Sequence, residues 1–252
     1  MDRSPDPEEG SSRTAQVTLL QELLDLAPRA DILDFQLVVL TVLAGLVALG
    51  GLFLNSPAVI IGAMVISPLL EPIYAATVFL ANGSVRKFFQ HMKVLGVLVV
   101  VLIIVSALVT ACLTLFTTLP VTPEILSRLE QQEVSAILAI LLGITAIFAH
   151  KRGFISAIIG VGISVALVPP VVVTGITIVL LPDRVFDALA LTLNNIFGLC
   201  AGMLIAILAL GVGPRNSAKL NLTRKNVYLM CIGVMGLLLI IFLVLRILRL
   251  GL

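Results

Sequence analysis

The sequence predicts an all-α polytopic membrane protein: two inverted-topology three-span repeats with broken helices, plus a seventh transmembrane helix. Three observations predict it. Hydrophobic residues make up 60% of the 252-residue chain, charged residues 12%, and the mean hydropathy is +1.19. Apolar runs recur that approach the ~20 residues a helix needs to cross the hydrocarbon core. The chain also matches itself at an offset of 98 residues. The apolar runs are continuous and do not alternate, which argues against a transmembrane β-barrel.

Residues 1–34 read as a cytoplasmic tail with a short amphipathic helix. The stretch MDRSPDPEEGSSR has the Pro, Ser and acid content of a disordered segment, with no leading apolar stretch of a secretory signal. From Thr14 to Ala27, Val17, Leu20, Leu23 and Leu24 recur at helical spacing until Pro28 ends the run. Repeat 1 is expected over 35–119, with spans near 36–54, 57–81 and 93–119. An external linker helix follows over 120–133, with Thr122 as cap and Pro123 at its first position. Repeat 2 is expected over 134–211, with spans near 134–150, 154–181 and 187–211, and 212–252 holds a basic loop and the seventh span, 227–250.

Loop charge sets the orientation. Arg86, Lys87, Lys93, Lys151, Arg152, Arg215, Lys219, Arg224 and Lys225 fall on one side, against Arg128 and Arg184 among acids on the other. By the positive-inside rule the amino terminus is cytoplasmic and the carboxyl terminus outside, although Arg246 and Arg249 near the outer end run against it.

At the 98-residue offset, Ala58–Gly62 falls on Ser156–Gly160 and Pro72 on Pro170, while Gly45 pairs with Gly143, Arg86 with Arg184 and Phe88 with Phe186. Three spans per copy is an odd number, so the copies insert with opposite topology. Paired Gly/Pro-interrupted segments in such halves point to a transporter's binding site.

The candidate substrate- or ion-binding residues cluster on these segments. Glu71 is the one acid inside a candidate span, in Ser67-Pro68-Leu69-Leu70-Glu71-Pro72. An ionisable group at that depth costs several kcal/mol, about 2.5–3.5 on insertion scales. It reads as a proton or cation site, or as a protonated carboxyl bonding between helices. Pro68 and Pro72 each remove a backbone donor, and Ser67-Pro68, like Asn55-Ser56-Pro57, has the composition of a helix start. Ser164, Pro169, Pro170 and Thr174, with Gly175, are expected to line a second break. There Pro169 and Pro170 deprive the carbonyls near residues 165 and 166 of their partners, to be used by a ligand or closed by Thr174 or water. Asn194 and Asn195 are adjacent amides about 100° apart on a helix, suited to an ion, a polar solute or interhelical bonding. His91, expected in the basic inner loop, and His150 read as interfacial residues, and Gly198-x-x-x-Gly202 as a close-packing motif. Cys112, Cys200 and Cys231 lie in apolar runs without metal-ligand spacing.

The run from Asn55 to Ile73 (NSPAVIIGAMVISPLLEPI) and the run from Ala166 to Gly175 (ALVPPVVVTG) together resemble a prokaryotic family of hydrophobic membrane proteins, domain of unknown function 389. The similarity extends over roughly 35–210. It implies a multi-pass protein of a prokaryotic cytoplasmic (inner) membrane and adds fold more than function. Many members carry a small residue where Glu71 stands, which implies a tuning role for that carboxyl.

The residues lead to a secondary transporter or carrier for a small polar solute or ion, proton- or cation-coupled through Glu71. An ion channel and a non-transporting scaffold or sensor are the alternatives. No nucleophile–base pair, metal spacing or phosphate loop is visible, so no enzyme, cofactor or metal is expected. The expected partners are the lipid bilayer, the solute and further copies in a homo-oligomer, with no nucleic acid.

Overall fold

The computed structural model describes the backbone of residues 33–130, 132–151 and 156–210, with Leu24 and Gly233, and side chains over 33–130, 134–149 and 166–210. The helix expected over 14–27, the loop 212–226, the seventh span and the side chains of Ser164 and His150 lie outside this set. Every regular element among the described residues is a helix.

The first three helices follow from local chemistry. Helix α1 (Phe35–Phe53) ends in a turn at Asn55, whose φ of 51° is one that Asn tolerates better than most side chains. Pro57 then opens α2 (Pro57–Ile66) at the first position, where its missing N–H is not needed. Ser67 precedes Pro68 and takes extended backbone (φ −72°, ψ 126°), because the proline ring disfavours the helical region for its predecessor. The chain restarts as α3 (Leu70–Ala81), bent 56° from α2. Pro72 sits in the first turn of α3, so it starts that helix without interrupting it.

Gly83, at φ 82°, turns the chain after α3, and α4 (Val85–Thr114) begins two residues later. The expected basic loop over 82–92 is thus mostly helix. Arg86 and Lys87 ride on the first turns of α4, and His91 is buried in the helix, stacked on Phe79 at 5.2 Å. The short amphipathic α5 (Pro123–Glu130) turns Ile125 and Leu129 inward and is capped by Thr122, as its sequence predicts. Three longer helices complete the described chain: α6 (Gln132–Lys151), α7 (Ser156–Leu180) and, after a short 3-10 turn at Pro182–Arg184, α8 (Val185–Ala209). The unwound break expected over 162–170 is not there: α7 is helical through Pro169 and Pro170.

Among the described residues, three helices are long and apolar enough to cross a membrane (Phe35–Phe53, Val85–Thr114 and Pro182–Ala209), and up to five crossings result if each bent pair counts as one. Outward faces are apolar as well as inward ones. On α4, Val100, Ile104 and Leu108 form an exposed stripe opposite the buried Leu95, Leu98 and Leu102. An apolar outer surface on long apolar helices is that of a membrane protein.

Small residues bring the helices together. A Cβ on Gly202 of α8 would run into the Ile140 carbonyl of α6, and one on Gly198 would lie 3.0 Å from the Ala136 carbonyl oxygen. Gly198-x-x-x-Gly202 therefore sets a backbone-to-backbone crossing of α6 and α8. Gly175 of α7 meets α4 as closely: an added Cβ would stand 2.5 Å from Ser106 Cβ. On the other side, Thr77 of α3 lies beside Cys200 of α8, its hydroxyl donating to the Ile73 carbonyl at 2.8 Å. One buried cluster joins Leu69 and Ile73, beside the first proline segment, to Leu167, Val168 and Val171 around the second.

Candidate functional site

The site is built around the helical proline pair. Pro170 has no N–H to offer the carbonyl four residues earlier, that of Ala166. In a buried helix an unpaired carbonyl costs about 1–3 kcal/mol. The donor comes from a neighbouring helix: Asn195 Nδ2 of α8 donates to the Ala166 carbonyl at 2.9 Å. The other end of the same amide is held from a third helix, where the Ser135 hydroxyl of α6 donates to Asn195 Oδ1 at 3.1 Å. Asn195 is fully buried, so one amide ties α6, α7 and α8 together in the interior.

A second polar contact joins α7 and α8. Thr174 Oγ1 lies 2.9 Å from the Pro170 carbonyl and 3.1 Å from Thr192 Oγ1, with both threonines buried. Asn194 is buried too, and its Oδ1 finds no hydrogen-bond partner among the described residues. A buried amide oxygen without a donor is an available acceptor.

The first proline segment differs. Ser67 is buried, and its Oγ accepts a long 3.4 Å bond from Leu69 N–H, while Glu71 N–H donates to the Pro68 carbonyl at 3.1 Å. Glu71 itself is exposed on the protomer, in the first turn of α3. A position between the two proline segments would have buried its side chain. The structure thus gathers Pro169, Pro170, Thr174 and Asn195 at one locus. Ser67, Pro68 and Pro72 lie at another, on helices that pack against the first through the shared core, and Glu71 is at the surface.

Sequence reasoning missed Ser135 and Thr192. Both are polar residues in apolar runs, and a search for partners to Asn195 and Thr174 would have singled them out. The predicted close of the Ala166 carbonyl by Thr174 or water is replaced by Asn195, since Thr174 bonds the carbonyl of Pro170 instead.

An uncharacterized protein of Methanocaldococcus jannaschii is 25% identical over 225 residues, covering 88% of this chain and 68% of that relative. No solved structure matches the chain. The family described as domain of unknown function (DUF389) matches residues 64–201, a narrower stretch than the roughly 35–210 expected, with both Ser67–Pro72 and Ala166–Gly175 inside it. On that match, which spans more than half of its length, the chain belongs to this family.

Proposed function

We propose that the protein is a secondary transporter for a small polar solute or ion, with its site between the α2–α3 break and the proline segment of α7. The observation that carries this reading is the Asn195–Ala166 bond. A helix in an apolar interior holds two consecutive prolines, and a side chain from another helix occupies the carbonyl they expose. Such a carbonyl is a ready ligand for a cation or a solute hydroxyl once that amide swings away.

The helix bounds support two repeats. At the 98-residue offset, Phe35–Phe53 falls at 133–151, against Gln132–Lys151 for α6. Pro57 to Ala81 falls at 155–179, against Ser156–Leu180 for α7, and Val85 falls at 183, against Val185 for α8. Packing follows the same exchange: α3 meets α8 at Thr77 and Cys200, and α7 meets α4 through Gly175 and Ser106. Opposite insertion of two such units, with a seventh span beyond them, gives the topology read from loop charge. Alternating access then follows if the two proline segments exchange forms, one broken while the other stays helical.

Glu71 is exposed beside the first break and has no described charge partner, so it is placed to exchange a proton as that break moves. The same Asn195 bond also suits a scaffold whose prolines are structural. Proteoliposome uptake of radiolabelled polar solutes separates the two. A transporter shows saturable uptake that Asn195→Leu abolishes, and Glu71→Gln removes its pH-gradient stimulation. Uptake no greater than in protein-free liposomes supports the scaffold.

A further inference from the structure

A cavity of about 290 Å³ opens between α5 and the start of α6, lined among the described residues by Glu124, Ser127, Arg128, Val134, Ser135 and Leu138. Its lining is unusual for this chain, with two charges and two hydroxyls where most described surface is apolar. The helix that carries the charges is fixed from below. Thr122 Oγ1 donates to the Leu52 carbonyl at 2.7 Å, Asn55 Oδ1 accepts from Glu124 N–H at 3.2 Å, and Ile125 and Leu129 are fully buried. Glu124 and Arg128 thereby hold their side chains at one wall, 3.5 Å apart and mostly shielded, with relative exposures of 22% and 27%.

The cavity also touches the candidate site. Ser135, in its lining, donates to Asn195 Oδ1, and Asn195 donates to the carbonyl exposed by Pro170. Two hydrogen bonds separate a ligand in the cavity from the proline segment of α7. A group that takes the Ser135 hydroxyl competes directly with the amide that keeps that segment closed.

We propose that this cavity is a recognition site for a small zwitterion, its carboxylate on Arg128 and its ammonium on Glu124. The charge balance selects that class. A net anion would face the Glu124 carboxylate, a net cation would face the Arg128 guanidinium, and an uncharged solute would leave the ion pair closed. A ligand with both poles replaces the pair's attraction with two charge-assisted bonds. The Ser127 hydroxyl donates to the Glu124 carbonyl at 3.1 Å and the Ser135 hydroxyl to Asn195, so either turns to the carboxylate only by giving up that bond. At about 290 Å³ the cavity lies just below the range of about 300–1,000 Å³ for drug-sized ligands, so the zwitterion is small. The inference rests on the transporter reading for its role and not for its binding chemistry.

Calorimetric titration of the full chain in nanodiscs with glycine and β-alanine tests it, beside acetate and ethylammonium as single-charge controls. Saturable binding of a zwitterion is expected, at least tenfold tighter than either control. Arg128→Gln and Glu124→Gln should each weaken it at least tenfold, with Arg128→Lys retaining part of the affinity. Circular dichroism and gel filtration identify any variant that fails to fold, and Ser135→Ala then serves as the second variant, expected to weaken binding threefold or more. Absence of saturable binding to wild type, or binding unchanged in both charge variants, overturns the proposal. Zwitterion binding without uptake in proteoliposomes removes the transporter reading and leaves the cavity standing. Uptake of polar solutes that survives both charge substitutions does the reverse.

Discussion

Two proline segments, Pro68–Pro72 and Ala166–Pro170, correspond at the 98-residue offset and take different forms. The first breaks into α2 and α3 at an angle of 56°, while the second stays helical from Ser156 to Leu180. The segment with two consecutive prolines is the one that stays helical. Proline count therefore does not decide where a membrane helix opens. At the second segment a neighbouring helix supplies the donor that the ring removed. Asn195 supplies it to Ala166, and Ser135 steadies Asn195. At the first segment the described bonds are local, from Leu69 N–H to Ser67 and from Glu71 N–H to Pro68.

Substitutions on the two segments should therefore separate. The largest effect belongs to Asn195→Leu, which leaves the Ala166 carbonyl and the Ser135 hydroxyl without their partner. A loss of about 1–3 kcal/mol is expected for an unsatisfied buried group, read from unfolding in SDS–detergent mixtures. Pro68→Ala comes next and acts on shape more than on stability. It restores an N–H and releases Ser67 from its extended backbone, so spin labels at Ile61 and Phe79 should move apart as α2 and α3 straighten. An unchanged distance would mean that packing and not Pro68 sets the bend. Ser135→Ala should cost about 0.6 kcal/mol, the average for a membrane hydrogen bond, because Asn195 keeps its own bond to Ala166. Glu71→Gln, at an exposed position, should change stability by no more than about 0.5 kcal/mol while it alters pH-driven uptake. A larger stability loss would mean that another helix or another copy covers this side chain.

The parts of this arrangement that were legible in the sequence are the local ones. Thr122 before Pro123 and the glycines of α8 act on their own turn or on the partner helix they touch, and each can be read from a few neighbouring letters. Ser67-Pro68, read as a helix start, ends α2 instead, and α3 begins at Leu70. The continuity of α7 was not legible, because its donor lies on another helix, 29 residues along the chain. The adjacent amides were read as diverging by about 100°, and they do serve different surroundings: Asn195 bridges two helices, and Asn194 keeps an unpartnered oxygen. Charge misled once: Arg86 and Lys87 suggested a loop where Gly83 had already turned the chain into α4. Side-chain type marks a cost at membrane depth, but the facing helix determines how that cost is met.

The most direct test is a double-mutant cycle on Pro170 and Asn195, read as unfolding free energy in detergent and as solute uptake. Pro170→Ala returns an N–H to the Ala166 carbonyl, so the Asn195→Leu penalty should shrink in that background. A coupling of about 0.5–3 kcal/mol is expected, the range for residues that share one bond network. Uptake should fall in Pro170→Ala, because the carbonyl is then closed by its own helix. Additive stability effects with unchanged uptake would contradict a proline-opened carbonyl gated by Asn195.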